Sequence, residues 1–439
     1  MEKAINVIGG GLAGVEASLY LANHGYKVNL FEQKPLKMSP AHHSNNLGEL
    51  VCSNSLKSKK IDNACGLLKE EMKYFGSIMM EASTQSEVPA GNALSVDREL
   101  FSEYITNKIK NHPNIEVVNE ELTEIPEGPV ICASGPLTSD DLSKCIGEFI
   151  GKDYLYFFDA VAPILLEESI NKDKAYLKSR YDKGEACYYN CPMNEEEFKA
   201  FYNELVKAER VIPKDFELKV FEGCMAVEDM ASRGEQTLLF GPLKPVGLRH
   251  PVTGETPYAV VQLRQDNASK TLYNIVGFQT HLKWAEQKRV FRMIPGLENA
   301  EFVRYGVMHK NTYINSPGVL NKYYQTIKRE DLFFAGQITG VEGYLESASS
   351  GMVCGINMYN YLMGKPLIDF TRKTSIGSLA NYISTFNLNF QPMNANHGLF
   401  DPIEGRFKKV DRKMEYARRA LEKLDEIIGD MNGWFRNNF

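Results

Sequence analysis

The feature that most constrains the fold of this chain is a glycine motif close to its start. The motif reads Gly9-Gly10-Gly11-Leu12-Ala13-Gly14 and fits the pattern G-x-G-x-x-G. Its first glycine allows a tight turn, its second lets the backbone approach a pyrophosphate, and its third lets a helix pack closely on a strand. An apolar run at residues 4–8 predicts a buried strand before the motif, and residues 12–24 predict a helix after it.

An acidic residue completes the motif. Residues 27–31 predict the next strand, and Glu32 follows it, where a carboxylate can accept hydrogen bonds from adenosine ribose hydroxyls. The N–H groups and the partial positive charge at the helix N-terminus attract phosphates. A glycine-rich turn without a ligand is the alternative, and the strand, helix and acid together disfavour it. The sequence therefore predicts a dinucleotide cofactor.

A second strand-to-glycine unit bears on whether that cofactor is NAD or FAD. Residues 332–336 predict a strand that ends at Gly336, with Gln337 next and a glycine-rich helix start at 340–355. This discontinuous arrangement is typical of FAD-binding proteins of the glutathione-reductase type. We therefore predict an α/β fold with a Rossmann-type FAD-binding domain, in which Gly336 and Gln337 reach the flavin end of FAD.

In the middle of the chain the sequence pattern changes to strands, turns and one charged helix, which predicts an inserted α+β domain. The predicted domains are 1–153 (first part of the FAD-binding domain), 154–310 (inserted substrate or RNA domain) and 311–439 (return of the FAD-binding domain and C-terminal helix). Residues 33–65 are predicted to form a loop region with short helices. The predicted helices are 66–80, 97–109, 195–210 and 411–428, and the further strands are 115–118 and 129–135.

Composition limits the function classes. The chain has 439 residues, 43% of them hydrophobic, and a net charge of −6, which argues against a broad non-specific grip on nucleic acid but not against a local basic patch. Eight irregularly spaced cysteines, with no signal-peptide pattern and no bilayer-length apolar run, predict reduced thiols in the cytoplasm and no membrane association. Cys187 and Cys191 have no matching second Cys/His pair, so we expect no metal.

Two cysteines stand out by their surroundings. Cys52 and Cys224 lie in polar segments, and Lys59 and Lys60 follow Cys52, a setting that exposes a thiol and favours its thiolate. Any single cysteine can instead be a small buried hydrophobe. That interpretation is the better one for Cys65, Cys132, Cys145 and Cys354. The chain has no C-x-x-C motif, which counts against a dithiol–disulfide flavoenzyme.

Long runs around these residues resemble the folate- and FAD-dependent tRNA (uracil-5-)-methyltransferases. The resemblance covers nearly the whole chain up to about residue 396. The matching runs are residues 9–14, 40–43, 49–56, 66–72, 96–98, 135–139, 176–185, 221–224, 257–267, 276–284, 305–309 and 336–344.

The resemblance implies a particular chemistry on RNA. Carbon 5 of uracil is a poor nucleophile until a thiolate adds at carbon 6, and the resemblance implies that Cys224 is this thiolate and that Cys52 handles the carbon 5 proton. It further implies methylenetetrahydrofolate as the carbon donor and FAD, reduced by NADPH or NADH, as the electron donor. Whether the flavin itself carries the one-carbon unit stays open.

Further candidate residues have weaker support. Tyr344 is expected beside the flavin end, where it could stack on the pteridine or orient the base, and His281 and Arg264 could hold folate or RNA. Each is at least as well explained as an ordinary packing or hydrogen-bonding residue. The basic residues at 406–413 and 418–419 could grip phosphates, although a solvated helix face is the more common explanation.

Several alternatives remain. Departures from the family pattern at Ala226, Arg249 and His250 keep 23S ribosomal RNA open as the substrate in place of tRNA. An NAD(P)H-dependent flavin oxidoreductase acting on a small molecule is an alternative of another class. A non-catalytic RNA-binding flavoprotein is disfavoured by the presence of both Cys52 and Cys224, and a related tRNA wobble-uridine enzyme is much longer. The oligomeric state, monomer or homodimer, is open.

Overall fold

The computed structural model describes residues 4–151, 155–183, 185–211, 225–405 and 407–437. Its strands are β1 (Ile5–Ile8), β2 (Val28–Glu32), β3 (Ser55–Ser58), β4 (Glu87–Val88), β5 (Ala93–Val96), β6 (Ile115–Asn119), β7 (Val130–Cys132), β8 (Leu155–Ala160), β9 (Ile164–Leu166), β10 (Tyr176–Leu177), β11 (Tyr188–Met193), β12 (Ala259–Gln265), β13 (Leu272–Ile275), β14 (Phe302–Arg304), β15 (Met308–Tyr313) and β16 (Leu332–Phe334). Its α-helices are α1 (Leu12–Asn23), α2 (Ala64–Lys73), α3 (Ile78–Gln85), α4 (Arg98–Lys110), α5 (Asp140–Ile150), α6 (Glu195–Lys207), α7 (Val227–Ser232), α8 (Glu235–Phe240), α9 (Trp284–Phe291), α10 (Tyr344–Leu362), α11 (Ser375–Ser384) and α12 (Lys409–Asn437).

A five-stranded parallel sheet forms the framework for the glycine motif. Its strand order is β16-β7-β1-β2-β6, so a strand from late in the chain completes a sheet that the early strands began. All five strands are short, and all except the edge strand β6 are mostly buried, as expected for a parallel sheet that is covered on both faces. The predicted Rossmann-type α/β fold is confirmed.

Two glycines allow the helices to lie unusually close to the backbone beneath them. A Cβ atom on Gly14 would lie 1.8 Å from the carbonyl oxygen of Gly9, and one on Gly351 would lie 2.0 Å from that of Ala13. Neither distance is possible for real atoms. Gly14 therefore brings α1 onto the turn after β1, and Gly351 brings α10 onto the start of α1.

A second, six-stranded sheet has a hydrophobic cluster of its own. Its order is β10-β11-β12-β13-β9-β14, and every pair in it is antiparallel. It shares a hydrophobic cluster with α6 to α9, and the buried members of this cluster all come from residues 165–300. The larger cluster around the parallel sheet draws its buried members from residues 5–150 and 313–427.

The predicted domain boundaries at 153 and 310 stay predictions. The antiparallel pair of β8 and β15 lies at these positions, and β15 extends across residue 310. Because β15 crosses residue 310, this position falls inside a strand and not between two elements.

Several sequence-based elements were wrong in detail. The single helix predicted over 66–80 is two helices, because Gly76 adopts φ +67° and the Ser77 side chain caps the start of α3. Residues 33–63 contain no α-helix, and β3 lies there instead. The middle of the chain was predicted to hold one helix, and the structure adds α7, α8 and α9. The C-terminal helix α12 is longer than predicted and packs on α2.

None of the helices in the described ranges is both long enough and apolar enough to cross a bilayer.

Candidate cofactor site and cysteine loop

A cleft opens at the carboxyl ends of β1, β2, β7 and β16. All of the predicted cofactor residues line it except Gly14, which packs beneath it as described above. The side walls come from the ends of β6 and β7. The lining includes Gly9, Gly10, Gly11, Leu12, Ala13, Glu32, Gln33, Glu120, Leu122, Gly135, Pro136, Gly336, Gln337, Tyr344 and Ser347.

The floor of this cleft suits a pyrophosphate. Gly9 adopts φ +101° and turns the chain from β1 into α1, and Gly11 occupies the position before the helix. A Cβ atom on Gly11 would meet no protein atom within 4 Å, so the space above this residue is open. No acidic residue lies in the first turn of α1 to compete for its N–H groups. These residues fit a dinucleotide such as FAD.

Glu32 lies at the end of β2 and is buried at the cleft wall. Its Oε2 accepts a hydrogen bond from the Gly10 N–H at 2.9 Å, and its Oε1 accepts one from the Lys34 N–H at 3.0 Å. Each carboxylate oxygen has a second lone pair, so these two bonds orient the group without exhausting its acceptors. The carboxylate thus remains able to accept a bond from a ribose hydroxyl.

The cysteine loop, which we define as residues 50–54, borders the cleft and is joined to it by Tyr344. The Tyr344 hydroxyl oxygen accepts hydrogen bonds from the backbone N–H groups of Cys52 at 2.7 Å and Ser53 at 3.1 Å. Burial raises the pKa of Tyr344, so the phenol stays protonated at neutral pH. Tyr344 therefore holds the cysteine loop while its ring lines the cleft.

Two arginines hold the carbonyl oxygens of the cysteine loop. Arg98 Nη1 donates to the Leu50 carbonyl at 3.0 Å, and Arg98 Nη2 donates to Asp266 at 3.1 Å. Arg304 Nη2 donates to the Val51 carbonyl at 3.0 Å. Since these two carbonyls immediately precede Cys52, the arginines fix the backbone from which its side chain projects.

A third arginine, Arg264, holds the far end of the loop. Its Nη2 donates to Ser53 Oγ at 2.8 Å, and its Nε donates to Asn54 Oδ1 at 3.1 Å. Burial lowers the pKa of Arg264, and the charge of Cys52 is among the groups that raise it, so the two side chains are electrostatic neighbours. The structure thus places Arg264, which was predicted to hold folate or RNA, beside Cys52.

The cations near Cys52 are not the ones that the sequence indicated. The side chain of Lys59, which follows β3, pairs with Glu87 on β4, at the opposite edge of the small sheet β3-β5-β4. The positive charge around Cys52 comes instead from Arg98, Arg264 and Arg304, which lie on three elements distant in sequence. Cys52 itself is a residue of intermediate burial.

Cys224 lies outside the described residues, and described residues on both sides of the stretch 212–224 are anchored by hydrogen bonds. The Val211 N–H donates to the His281 carbonyl at 2.7 Å, and the Val227 N–H donates to the Gln279 carbonyl at 2.8 Å. The described residues on both sides of the stretch 212–224 therefore bind to residues 279–281.

His281 is buried at this anchor and faces two carboxylates. Its Nε2 lies 3.3 Å from Glu228 Oε1 and 3.4 Å from Asp229 Oδ1. Burial alone would lower the pKa of His281, but the two carboxylates outweigh it and raise the pKa. Glu228 also accepts from the His281 N–H and the Thr280 hydroxyl. His281 is thus built into the anchor of the Cys224 segment.

Sequence reasoning missed an ion pair beside Tyr344. Lys57 Nζ donates to Glu346 Oε1 at 2.8 Å, and the same oxygen accepts from the Ala395 N–H at 3.0 Å. Glu346 is fully buried in the first turn of α10, and its Oε2 has no hydrogen-bond partner within the described residues. Lys57 has φ +62°, an unusual conformation for a non-glycine residue that the sequence alone does not signal.

Two of the basic C-terminal residues, Arg418 and Arg419, contact the protein itself. Arg418 pairs with Glu415 and Glu422 along α12, and Arg419 donates to the carbonyl oxygens of Asp401 and Pro402. Arg406 lies outside the described residues. The solvated-face interpretation therefore describes Arg418 better than a phosphate grip.

Comparisons with known proteins agree with this geometry. The sequence pattern of the family described as "Glucose inhibited division protein A" matches residues 4–366. Methylenetetrahydrofolate--tRNA-(uracil-5-)-methyltransferase TrmFO of Bacillus subtilis is 58% identical over 429 residues, covering 97% of this chain and 99% of that protein. The protein of the same name from Listeria monocytogenes is 59% identical over 434 residues, covering 98% and 100%. The structure of Aquifex aeolicus GidA matches 97% of this chain and 73% of its own with a TM-score of 0.68, and at 18% identity this likeness shows the fold alone.

Proposed function

Because this chain belongs to the glucose inhibited division protein A family and, within it, to the methylenetetrahydrofolate--tRNA-(uracil-5-)-methyltransferases, we propose that it methylates carbon 5 of a uridine in tRNA. The observation that carries the proposal is the direct link between a dinucleotide cleft and a reactive cysteine, made by Tyr344 through its bond to the Cys52 N–H. The relatives named above are tRNA enzymes, which favours tRNA over 23S ribosomal RNA.

FAD is the cofactor, and methylenetetrahydrofolate is the carbon donor. When bound, FAD supplies the two electrons, received from NADPH or NADH, that take a carbon at the formaldehyde level to a methyl group. The residues of this chain that would hold FAD are the glycine motif at the pyrophosphate, Glu32 at the ribose, and Gly336 and Gln337 at the flavin end. Each of these residues lines the cleft or, like Gly14, supports its floor.

Cys224 is the nucleophile in this proposal. Its thiolate adds to carbon 6 of the uracil and thereby makes carbon 5 enolate-like and nucleophilic. The support is the resemblance of residues 221–224 to the family, together with the anchors of this segment at Gln279 and His281.

Cys52 takes the proton from carbon 5. The nearby guanidinium groups favour the thiolate that must accept this proton, because positive charge stabilises the ionised form. The hydrogen bonds of Arg98, Arg304 and Tyr344 to the loop hold the Cys52 backbone on both sides. Cys52 is only partly buried, and its neighbour Val51 lines the cleft.

Membership of this family also argues against the alternative function, an NAD(P)H-dependent flavin oxidoreductase that acts on a small molecule. An oxidoreductase of that kind needs neither Cys52 nor Cys224 for its reaction. A location in the cytoplasm belongs to the same proposal, because the substrate is tRNA.

One reconstitution tests the function. The purified holoenzyme is incubated with methylenetetrahydrofolate, NADPH and separate unmodified tRNA and 23S ribosomal RNA transcripts, and 5-methyluridine is mapped in each RNA. We expect methylation of tRNA alone, and its loss in Cys224→Ala and Cys52→Ala with FAD retained. Methylation of neither RNA by a flavin-loaded enzyme would overturn the proposal, and methylation of ribosomal RNA alone would move it to the alternative substrate.

A further inference from the structure

A ladder of four aromatic rings leads from the second hydrophobic cluster to the protein surface. Phe291 is fully buried, and its ring centroid lies 6.5 Å from that of Phe302. Phe302 stacks on Tyr305 at 5.6 Å, and Tyr305 stacks on Trp284 at 5.5 Å with an interplanar angle of 14°. Trp284, the outermost ring, is 61% exposed. The ladder therefore ends in a large aromatic side chain that has one neighbour ring inside and solvent outside.

Hydrogen bonds make this arrangement rigid. The buried side chain of Gln287 on α9 donates to the Gly306 carbonyl at 2.8 Å and accepts from the Gly306 N–H at 2.8 Å. The same amide donates to the Leu282 carbonyl at 2.7 Å. These bonds tie the helix that carries Trp284 to the residue after Tyr305. A rigid exposed ring loses little conformational entropy when a ligand stacks on it.

Two rings of the ladder directly follow residues that make contacts in the candidate site. Tyr305 follows Arg304, whose guanidinium binds the carbonyl of Val51, the residue before Cys52. Trp284 follows Lys283, whose N–H donates to the Glu209 carbonyl at 3.0 Å, within the anchor of the Cys224 segment. The two outer rings are thus sequence neighbours of residues that hold the cysteine loop and the flank of the undescribed stretch 212–224.

We propose that the exposed face of Trp284 is a stacking platform for an unpaired nucleobase of the RNA substrate. The inference rests on the proposed function and names a contact that positions the RNA. Unpaired bases in RNA loops bind to proteins by stacking on aromatic rings, with little dependence on base identity. Lys288 is exposed one helical turn from Trp284, where its ammonium group can approach the backbone phosphate of the stacked nucleotide.

Fluorescence tests the stack directly, because the chain has two tryptophans. In holoenzyme carrying Trp434→Phe, the indole emission reports Trp284 alone. Titration with an unmodified tRNA transcript should quench this emission in a saturable way, since a stacked base quenches indole. Unchanged emission at saturating tRNA would overturn the proposal.

Kinetics of variants separate this inference from the proposed function. Trp284→Ala should raise the KM for tRNA about tenfold, the typical effect of losing one base–aromatic stack, and leave the rate of flavin reduction by NADPH unchanged. Trp284→Phe should keep most of the affinity. Tyr74→Ala is the matched control, since Tyr74 is an exposed aromatic that shares a cavity with His24, at the opposite end of α1 from the cleft.

The outcomes are distinct. A wild-type enzyme that methylates tRNA, with an unchanged KM in Trp284→Ala, would overturn the platform and leave the function standing. A wild-type enzyme that quenches on tRNA binding but methylates no RNA would overturn the function and support the platform. A change in oligomeric state in Trp284→Ala, with tRNA affinity unchanged, would instead assign the ring to a protein interface and overturn the inference.

Discussion

The hydroxyl oxygen of Tyr344 lies 2.7 Å from the backbone nitrogen of Cys52 and accepts its hydrogen bond. The two residues are 292 positions apart in the sequence. Through this bond the first turn of α10, which borders the cofactor cleft, determines where the cysteine loop lies. The Tyr344 side chain therefore both lines the cofactor cleft and holds the backbone of Cys52.

Tyr344→Phe should separate the two roles of this residue. The ring remains, so FAD content measured by absorbance should be retained. The N–H groups of Cys52 and Ser53 lose their acceptor, which costs about 1–3 kcal/mol for a buried donor and displaces the loop. We expect kcat for methylation to fall at least tenfold, since about 1.4 kcal/mol corresponds to a factor of ten. Tyr104→Phe, which removes a surface hydroxyl bonded to Glu81, is the control. Equal kcat in wild type and Tyr344→Phe would refute the coupling.

Two glycine substitutions should impair different properties, one FAD binding and the other folding. Gly11→Ala adds a methyl group to space that is open in the protein, so the thermal midpoint of the FAD-free protein should be unchanged while FAD binding is lost. Gly14→Ala places its methyl 1.8 Å from the Gly9 oxygen and should prevent correct folding. Circular dichroism melts and flavin absorbance measure both. Gly429→Ala, at an exposed helical position with open space, should leave both properties intact. FAD binding by Gly11→Ala with wild-type affinity would contradict the assigned pyrophosphate floor.

Arg264→Gln should slow the alkylation of Cys52. Removal of a neighbouring guanidinium disfavours the thiolate, which is the form that reacts with iodoacetamide. Mass spectrometry of the Cys52 peptide at neutral pH measures the rate, independently of catalysis. The control is Lys59→Gln, because Lys59 follows Cys52 closely in sequence but pairs with Glu87 in the structure. A larger effect from Lys59 than from Arg264 would show that the sequence neighbour, rather than the spatial one, controls this thiol.

Buried Glu71 should make stability depend on pH. Burial raises the pKa of Glu71 to about 8, although the Ser375 and Ile376 N–H groups at the start of α11 donate to it. The unfolded carboxyl, with its ordinary pKa of 4.5, ionises first, so stability from this group is full below that pH and is lost as the pH rises through about 8.

Glu71→Gln removes this ionisation. Its free energy of unfolding relative to wild type should increase with pH between about 4.5 and 8, by a few kcal/mol in total, and be constant above. Urea unfolding across this range measures the difference. Glu422→Gln, on the exposed face of α12, should show no such trend. A pH-independent difference for Glu71→Gln would mean that Glu71 is ionised in the folded protein at neutral pH.

The parts of the site that the sequence could predict are those built by neighbours in the chain. A strand, three glycines, a helix and an acid within about thirty residues form the phosphate-binding unit locally. The cleft residues Gly336 and Gln337 follow from a second such unit. In contrast, the break between α2 and α3 depends on the conformation of Gly76, which a helical periodicity over residues 66–80 conceals.

The sequence by itself determined the fold class, the cofactor cleft and, through its long family runs, the chemistry that Cys52 and Cys224 are proposed to perform. Only the tertiary structure decided what surrounds Cys52, because Arg98, Arg264, Arg304 and Tyr344 reach it from four separate elements. Their contacts arise when two sheets and α10 pack together, and no local spacing rule encodes them. The same packing brought Trp284 onto Tyr305. Local backbone conformation depends mainly on neighbouring residues in the sequence. The electrostatic surroundings of a thiol depend instead on which distant side chains the folded core brings beside it.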